Sequence, residues 1–444
     1  FLKDKDWVLL KGSSKNAFKQ FIFSAREYVL SILRKSIGTA KDELGIAEAL
    51  LIGYTNDLDK DLVQAYSNTG VVHIIAISGL HLGLIYAVLL WIFTKLRLMR
   101  RSKMISVILI LTSLWMFSFL TGASASVLRS AVMFSFLLTG KTFFRQASGY
   151  NALAASAFLL LCYHPYYLWD VGLQLSTLAV FGIMWLQQPI YKLWYVKNKW
   201  LRQVWAMMSV TLAAQLITFP VCIYYFHQFP NLFLFTNLLA VPLSTVILYA
   251  ELLLVVFAAI TPLAALLGKI VYWLIYLMNY IVEKANGLPF SVIDKIYSNL
   301  YSTWILYALV FAFCGWLLYK QRKQLRIAIL LVLAFAGIMT YAALERNRQQ
   351  KIIIYNINRY RAIDFVYKDK YFFEGDSILL QDALPRNFYL KPARISMQLG
   401  ETKQRFHHLQ RNGAVYRFAG KTLLMADNEF IPDSATAKLK VDIL

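Results

Sequence analysis

Between Val71 and Leu344 the chain carries 19 lysines and arginines but only four acids, Asp170, Glu251, Glu283 and Asp294. Nearly all of these charges sit in short gaps between apolar runs. A helix needs about 20 mostly apolar residues to cross the hydrocarbon core of a bilayer, and most of the runs approach or exceed that length. Hydrophobic residues make up 59% of the 444 and charged residues 16%, whereas a soluble chain carries about a quarter charged residues. The sequence is therefore that of a polytopic membrane protein between two polar flanks.

Ten spans are expected, near residues 71–94, 104–121, 125–140, 151–163, 171–188, 204–226, 233–260, 264–283, 303–319 and 325–344. The fourth is short, and the seventh is long enough to bend or to hold two half-helices. Basic residues alternate between the gaps. Lys95, Arg97, Arg100, Arg101 and Lys103 fill one, Lys141 and Arg145 a second, four basic residues the stretch 189–203, and Lys320, Arg322, Lys323 and Arg326 a fourth. The turns near 122–124, 163–169 and 227–232 have none. Positive loops stay in the cytoplasm, so ten spans leave both flanks outside.

The chain begins at Phe1 with no basic-then-apolar leader, and reads as part of a longer one. In residues 1–70, Phe21–Ile37 and Glu43–Ile52 place apolar residues at helical spacing beside charges, as expected of amphipathic helices lying on the membrane surface. Residues 345–444 change period. Lys351–Ile357, Ala362–Phe365, Lys370–Phe373 and Gly420–Met425 read as short strands, with turns at Glu374-Gly375-Asp376 and Asn412-Gly413. Cys162, Cys222 and Cys314 have neither zinc spacing nor a disulfide framework.

Several polar residues interrupt the apolar runs. The segment His73–Gly83 holds two histidines, a serine and two glycines. Gly79 and Gly83 suit close helix packing, or a water-lined helix break carrying Ser78 and His81. His73 and His81 are too far around a helix to share a metal unless it breaks. Arg129, with Ser130 and Met133 after it, must snorkel, pair with an acid or face water, and Asp170 is a candidate partner. Asp170 and Gln174 share a helix face, with Ser176 and Thr177 close behind. Structure and substrate contact remain open for them. Pro220, Pro230 and Pro242, with Asn231 and Asn237, fit either broken helices of a transport path or ordinary kinks. Glu251 has no obvious partner nearby. Gly140-Lys141-Thr142 ends like a nucleotide-binding loop, but Ser135 replaces the required first glycine. His407-His408 reads as a solvated pair, with no further ligands at zinc spacing.

Four of these motifs follow one another as in the ComEC competence family, which the sequence resembles over about residues 20–344. They are Ala76-Ile77-Ser78-Gly79-Leu80-His81, Arg129-Ser130-Ala131-Val132-Met133, Asp170 to Gln174-Leu175-Ser176, and Phe219-Pro220 with Tyr225-Phe226 and Asn237 to Pro242-Leu243. Leu50-Leu51-Ile52-Gly53 looks like the family's approach to the first motif. The resemblance implies an all-α polytopic membrane channel of about ten transmembrane helices with a small β-rich C-terminal soluble domain. It would pass single-stranded DNA across the inner (cytoplasmic) membrane during natural transformation. Its expected partners are membrane lipid, a periplasmic DNA receptor, a cytosolic helicase and further copies of itself.

On this reading residues 1–70 hold a remnant of a preceding domain (Phe1–Lys11 where family members often carry an OB fold) plus the interfacial helices. Residues 71–344 form the channel, and 345–444 a degenerate, truncated metallo-β-lactamase-like domain. That domain's opening motif appears only as Asn356-Ile357-Asn358-Arg359-Tyr360-Arg361, so no catalytic residue, metal or cofactor, and no nuclease activity, is expected. The candidate DNA path is Ser78, His81, Arg129, Asp170, Gln174 and Asn237, with helix breaks at Gly79, Gly83, Pro220 and Pro242. Arg129 would neutralise phosphate and Asp170 would orient it. Excess positive charge and abundant aromatic faces suit a single strand. The alternatives are a secondary transporter of a small or lipid-linked anion, an intramembrane metal-dependent hydrolase using His73, His81 and Asp170, and a non-catalytic assembly platform.

Overall fold

The computed structural model describes residues 16–424, apart from 39, 99–101, 144–146, 359, 382–385, 401–408 and 414. The expected Phe1–Lys11 remnant and the His407-His408 pair lie outside the described residues. The described chain is mostly helical with a small β region at its C-terminal end. It divides into two compact units. The first takes in the described residues up to Phe219 together with Gln228–Ile293, and the second Pro220–His227 and the described residues from Asp294 onward.

Three helices open the first unit: α1 (Ala17–Ile37), α2 (Lys41–Ile52) and α3 (Lys60–Asn68). The side chains of Asn16 and Asp59 cap α1 and α3 by accepting backbone N–H groups of their first turns. The surface position expected for α2 is not what forms. Every residue from Gly45 to Ile52 is buried, in the same apolar cluster as the inner faces of α1, α3, α11 and α12. The physical reason is its composition, since only Glu48 is polar in that stretch. The Glu48 carboxylate is met by Arg34 Nε from α1 at 2.9 Å, and Arg34 also bonds Asp57 at 3.1 Å.

A short helix α4 (Val72–Ile75) leads to α5 (Gly79–Lys95), then α6 (Lys103–Leu120), α7 (Ala125–Phe143), α8 (Gly149–Tyr163) and α9 (Val171–Tyr191). Next come α10 (Lys199–Phe226), α11 (Phe233–Val256) and α12 (Thr261–Asn286). Two-residue strands β1 (Phe229–Pro230) and β2 (Val292–Ile293) pair antiparallel. Among the described residues six helices are long and apolar enough to cross a membrane: α6, α10, α11, α12, and in the second unit α13 (Leu300–Tyr319) and α14 (Arg322–Arg348). Only 6% of the apolar window of α14 is buried, an outward apolar surface that water would not tolerate and lipid would. The chain is a multi-pass membrane protein.

Helix runs without interruption through Gly83, through Pro220 in α10 and through Pro242 in α11. The breaks expected at these three positions do not form. Membrane helices accept proline because local adjustments and neighbouring helices satisfy the freed carbonyl. The backbone breaks instead at residues 76–78, between α4 and α5, so that Gly79 starts a helix.

The β region consists of two antiparallel meanders, β3 (Gln350–Ile354), β4 (Ala362–Tyr367) and β5 (Lys370–Gly375), then β6 (Leu409–Asn412), β7 (Val415–Phe418) and β8 (Lys421–Leu424). Gly413, with φ of 58°, makes the tight turn between β6 and β7. Phe365 stacks on Tyr416 at 5.6 Å and meets Phe418 edge-on, which joins the two sheets through one core. Beneath them Arg394 forks onto buried Asp364 at 2.8 and 2.9 Å, and Tyr355 donates to the same carboxylate at 2.7 Å. Burial pushes the Tyr355 hydroxyl above its usual range.

Burial also pushes the Glu48 carboxyl up to about 7, against the pull of Arg34. The folded protein thus binds this proton more tightly than the unfolded chain. Stability from this group is full below the usual value of 4.5 and is lost as pH rises through about 7. Thermal unfolding of the detergent-solubilised chain should show that decline between those limits, and Glu48→Gln should flatten it.

Candidate functional site

Ser78 is extended and caps α5, accepting the Leu80 N–H at 3.3 Å. The Ser78 N–H donates in turn to His81 Nδ1 at 3.3 Å. This is a capping box in which histidine takes the place usually held by Glu or Gln. Nδ1 must therefore be the unprotonated ring nitrogen, an assignment made from the hydrogen bond. His81 is 2% exposed, so its polar edge is committed to starting its own helix.

That start is pressed against α7. A Cβ on Gly79 would collide with Ser130 Oγ and lie 3.2 Å from an Arg129 terminal nitrogen. One turn on, a Cβ on Gly83 would stand 3.1 Å from the Phe134 ring, and Tyr86 stacks on that ring at 5.0 Å. The glycine pair is thus a packing surface. Behind it, Gly53 ends α2 in the left-handed region (φ of 68°), with Ile77 and the Thr121 carbonyl each 3.1 Å from where its Cβ would be. Glycine answers both constraints there.

Arg129, 2% exposed, is the largest fully buried side chain described. Its Nε donates to Ser176 Oγ of α9 at 3.0 Å, one terminal nitrogen to Ser130 Oγ at 3.0 Å, and the other approaches Met133 Sδ at 3.4 Å. Ser130 Oγ donates onward to the Ser126 carbonyl at 3.0 Å. No carboxylate contacts the guanidinium among the described residues. A cation this deep costs several kcal/mol in desolvation, and here neutral acceptors alone offset it.

The expected partnership with Asp170 does not occur. Asp170 is exposed and caps α9, accepting the Leu173 N–H at 2.7 Å. A carboxylate at a helix N-terminus satisfies free N–H groups and the helix dipole together, and the first turn of α9 claims this one. Gln174 likewise stays local, donating to the Leu168 carbonyl at 2.8 Å. Asn237 donates to the Phe233 carbonyl of its own helix at 2.7 Å, and beside it Thr236 donates to the Thr69 carbonyl at 2.7 Å.

Of the residues expected together, the fold gathers Ser78, Gly79, His81 and Arg129, and leaves Asp170, Gln174 and Asn237 apart from them. Ser130 and Ser176 complete the cluster in their place. Both stood in the quoted motifs, one residue after Arg129 and two after Gln174, but serine in an apolar helix carries no mark of what it meets. Among the described residues no three His, Cys, Asp or Glu side chains gather as metal ligands. Replacing Gly79 with alanine should cost about 1–3 kcal/mol through overpacking. A second change, Ser130→Ala, should recover part of that loss in thermal unfolding of the solubilised protein.

Residues 50–323 match the competence protein family, and residues 352–444 match the ComEC C-terminal domain. ComE operon protein 3 of Bacillus subtilis (strain 168) is 33% identical over 233 residues, 52% of this chain and 28% of the relative's length. The aligned part thus spans less than a third of that relative. No solved structure matches the chain. The first match covers more than half of the 444 residues and contains the whole Gly79–Arg129 cluster, and on that ground the chain belongs to the competence protein family.

Proposed function

We propose that this chain forms the passage by which single-stranded DNA crosses the inner membrane during natural transformation. The observation that carries the reading is Arg129, a cation buried inside the helical bundle and held, among the described residues, only by neutral groups, within the stretch matched to the competence family. A carboxylate partner would have quenched that charge. Serine hydroxyls leave it able to exchange onto phosphate oxygens, its strongest natural acceptors.

At 2% exposure Arg129 faces no open path. The packing of α5, α7 and α9 is on this reading a closed state. Parting α9 from α7 breaks the Arg129–Ser176 bond and turns the guanidinium toward the strand. Ser78 and His81 lie on the wall that moves, while Asp170, Gln174 and Asn237 contribute at other points of the path.

Ten spans fit the passage best, since α5, α7, α8 and α9 coincide with expected spans and complete the six helices that are long and apolar enough to cross a membrane. Both polar flanks then lie outside. Residues 71–344 form the passage domain, residues 1–70 its preceding helices, and 345–444 a domain with no nuclease activity. In the last of these, Asp364 and Arg394 neutralise each other within a packed core, a structural use of an acid. A receptor delivering DNA outside, a helicase drawing it inside and further copies of this chain are the fitting partners.

Arg129→Ala should abolish transformation at normal protein level, with labelled DNA collecting outside the inner membrane while surface binding is unchanged. Transformation at the wild-type frequency would refute the role given to Arg129, and normal DNA entry in a strain lacking the gene would refute the passage itself. The purified chain should also leave DNA uncut with zinc or manganese present.

A further inference from the structure

A second buried charge-bearing group lies away from the Arg129 cluster. Glu251, on α11, is 0% exposed, and among the described residues neither of its carboxyl oxygens has a hydrogen-bond partner. Ile247, Leu248 and Leu254, its neighbours one turn away on the same helix, are also fully buried, in the apolar cluster that includes residues of α2 and α12.

The helices packed on α11 are α12, α2 and α5, and their titratable residues are engaged or placed elsewhere. On α2, Glu48 pairs with Arg34, and Lys41 and Asp42 are exposed, with Glu43 in the first turn. On α12, Lys269, Glu283 and Lys284 are exposed, as are Tyr276 and Tyr280, and Tyr272 stacks against Tyr276. On α5, His81 caps its own helix, Tyr86 stacks on Phe134 and Lys95 is exposed. None forms an ion pair or hydrogen bond with Glu251.

A structural acid in this chain looks different, as Asp364 shows with its three hydrogen bonds from Arg394 and Tyr355. If packing alone were required, leucine or methionine would serve at lower cost. An ionised carboxylate buried among apolar side chains with no donor or cation beside it would cost several kcal/mol. Acids kept at such depth in membrane helices mark proton or ion pathways, and one carboxyl group is too few for a metal ion.

We propose that Glu251 is a proton-binding site inside the bundle. In the packed arrangement its carboxyl group holds a proton. When α11 parts from α2 and α12, entering water takes that proton, the O–H bond breaks with its electron pair left on the carboxylate, and repacking requires a proton from water again. Each cycle of opening thus exchanges one proton. Coupling to strand passage rests on the proposed DNA reading, whereas the proton site itself does not.

The test separates the two. Infrared difference spectra of the purified full-length chain in H2O and D2O should show a protonated-carboxyl band that shifts on deuteration and is missing from Glu251→Gln, a near-isosteric change suited to a folded variant. In cells, Glu251→Gln should reach the membrane in normal amount but lose the dependence of DNA uptake on the transmembrane pH gradient. No such band in the folded wild-type protein would overturn the proton site, whatever DNA does. If the band is present but uptake by Glu251→Gln keeps the wild-type rate and gradient dependence, the coupling is overturned.

Discussion

A guanidinium buried with no counter-charge among the described residues is the constraint around which α5, α7 and α9 are arranged. Arg129 cannot reach water, so its nitrogens must find acceptors in the neighbouring helices. Ser130 supplies one from α7 itself and Ser176 another from α9. Ser130 can do so only if the facing residue on α5 leaves room for its hydroxyl, which Gly79 does by having no side chain. Hydrogen bonds to a charged group contribute about 1.5–3 kcal/mol each, and desolvation of the ion costs several. The sum lies near balance. Such an arrangement suits a group that changes partners better than one that fastens helices permanently.

Lipid explains why glycine recurs at the other contacts. Between helices in a bilayer there is little hydrophobic driving force, because the tails are as apolar as leucine, and close backbone approach takes its place. Gly83 admits Phe134, Gly182 of α9 lies against the Ala213 carbonyl of α10, and Gly268 of α12 lies against the Ser36 carbonyl of α1. A methyl group at Gly182 or Gly268 would meet backbone and force its helix pair apart, and one at Gly83 would press on the end of the Phe134 ring. The exposed faces carry leucine, isoleucine and aromatic rings, which need no protein partner there.

The helices were legible because an apolar run of sufficient length has few other fates; nine of the ten expected stretches fall on one helix each, while the first, 71–94, is divided by the break at residues 76–78. The β strands announced themselves by a change of period. The burial of α2 was hidden, since Gly45–Ile52 shows only that it is apolar, and apolar residues enter lipid or a core equally well. The partners within the site were harder still. Opposite charge suggested Arg129 with Asp170, but a carboxylate just before a helix has four free N–H groups at hand, and local geometry won. His81 was expected to line a helix break; the break lies beside it at residues 76–78, but its Nδ1 is spent on the cap of α5. In both cases the short-range bond, which sequence distance makes almost certain to be available, outcompeted the long-range one.

These local commitments bear on how the packed state would open. Ser78 and His81 satisfy each other through the first turn of α5, so the helix can move as a body without losing its cap. The Arg129–Ser176 bond is different, because it spans two helices and must break if they part. A ligand shifts such an equilibrium only by its differential affinity for the two states. A neutral solute offers the released guanidinium nothing better than the hydroxyl it lost. A phosphodiester does, since its oxygens carry a negative charge that the serine hydroxyl lacks and can meet the guanidinium with two parallel bonds. On the proposed reading the strand itself stabilises the opened arrangement, and the closed one persists in its absence because serine is just good enough.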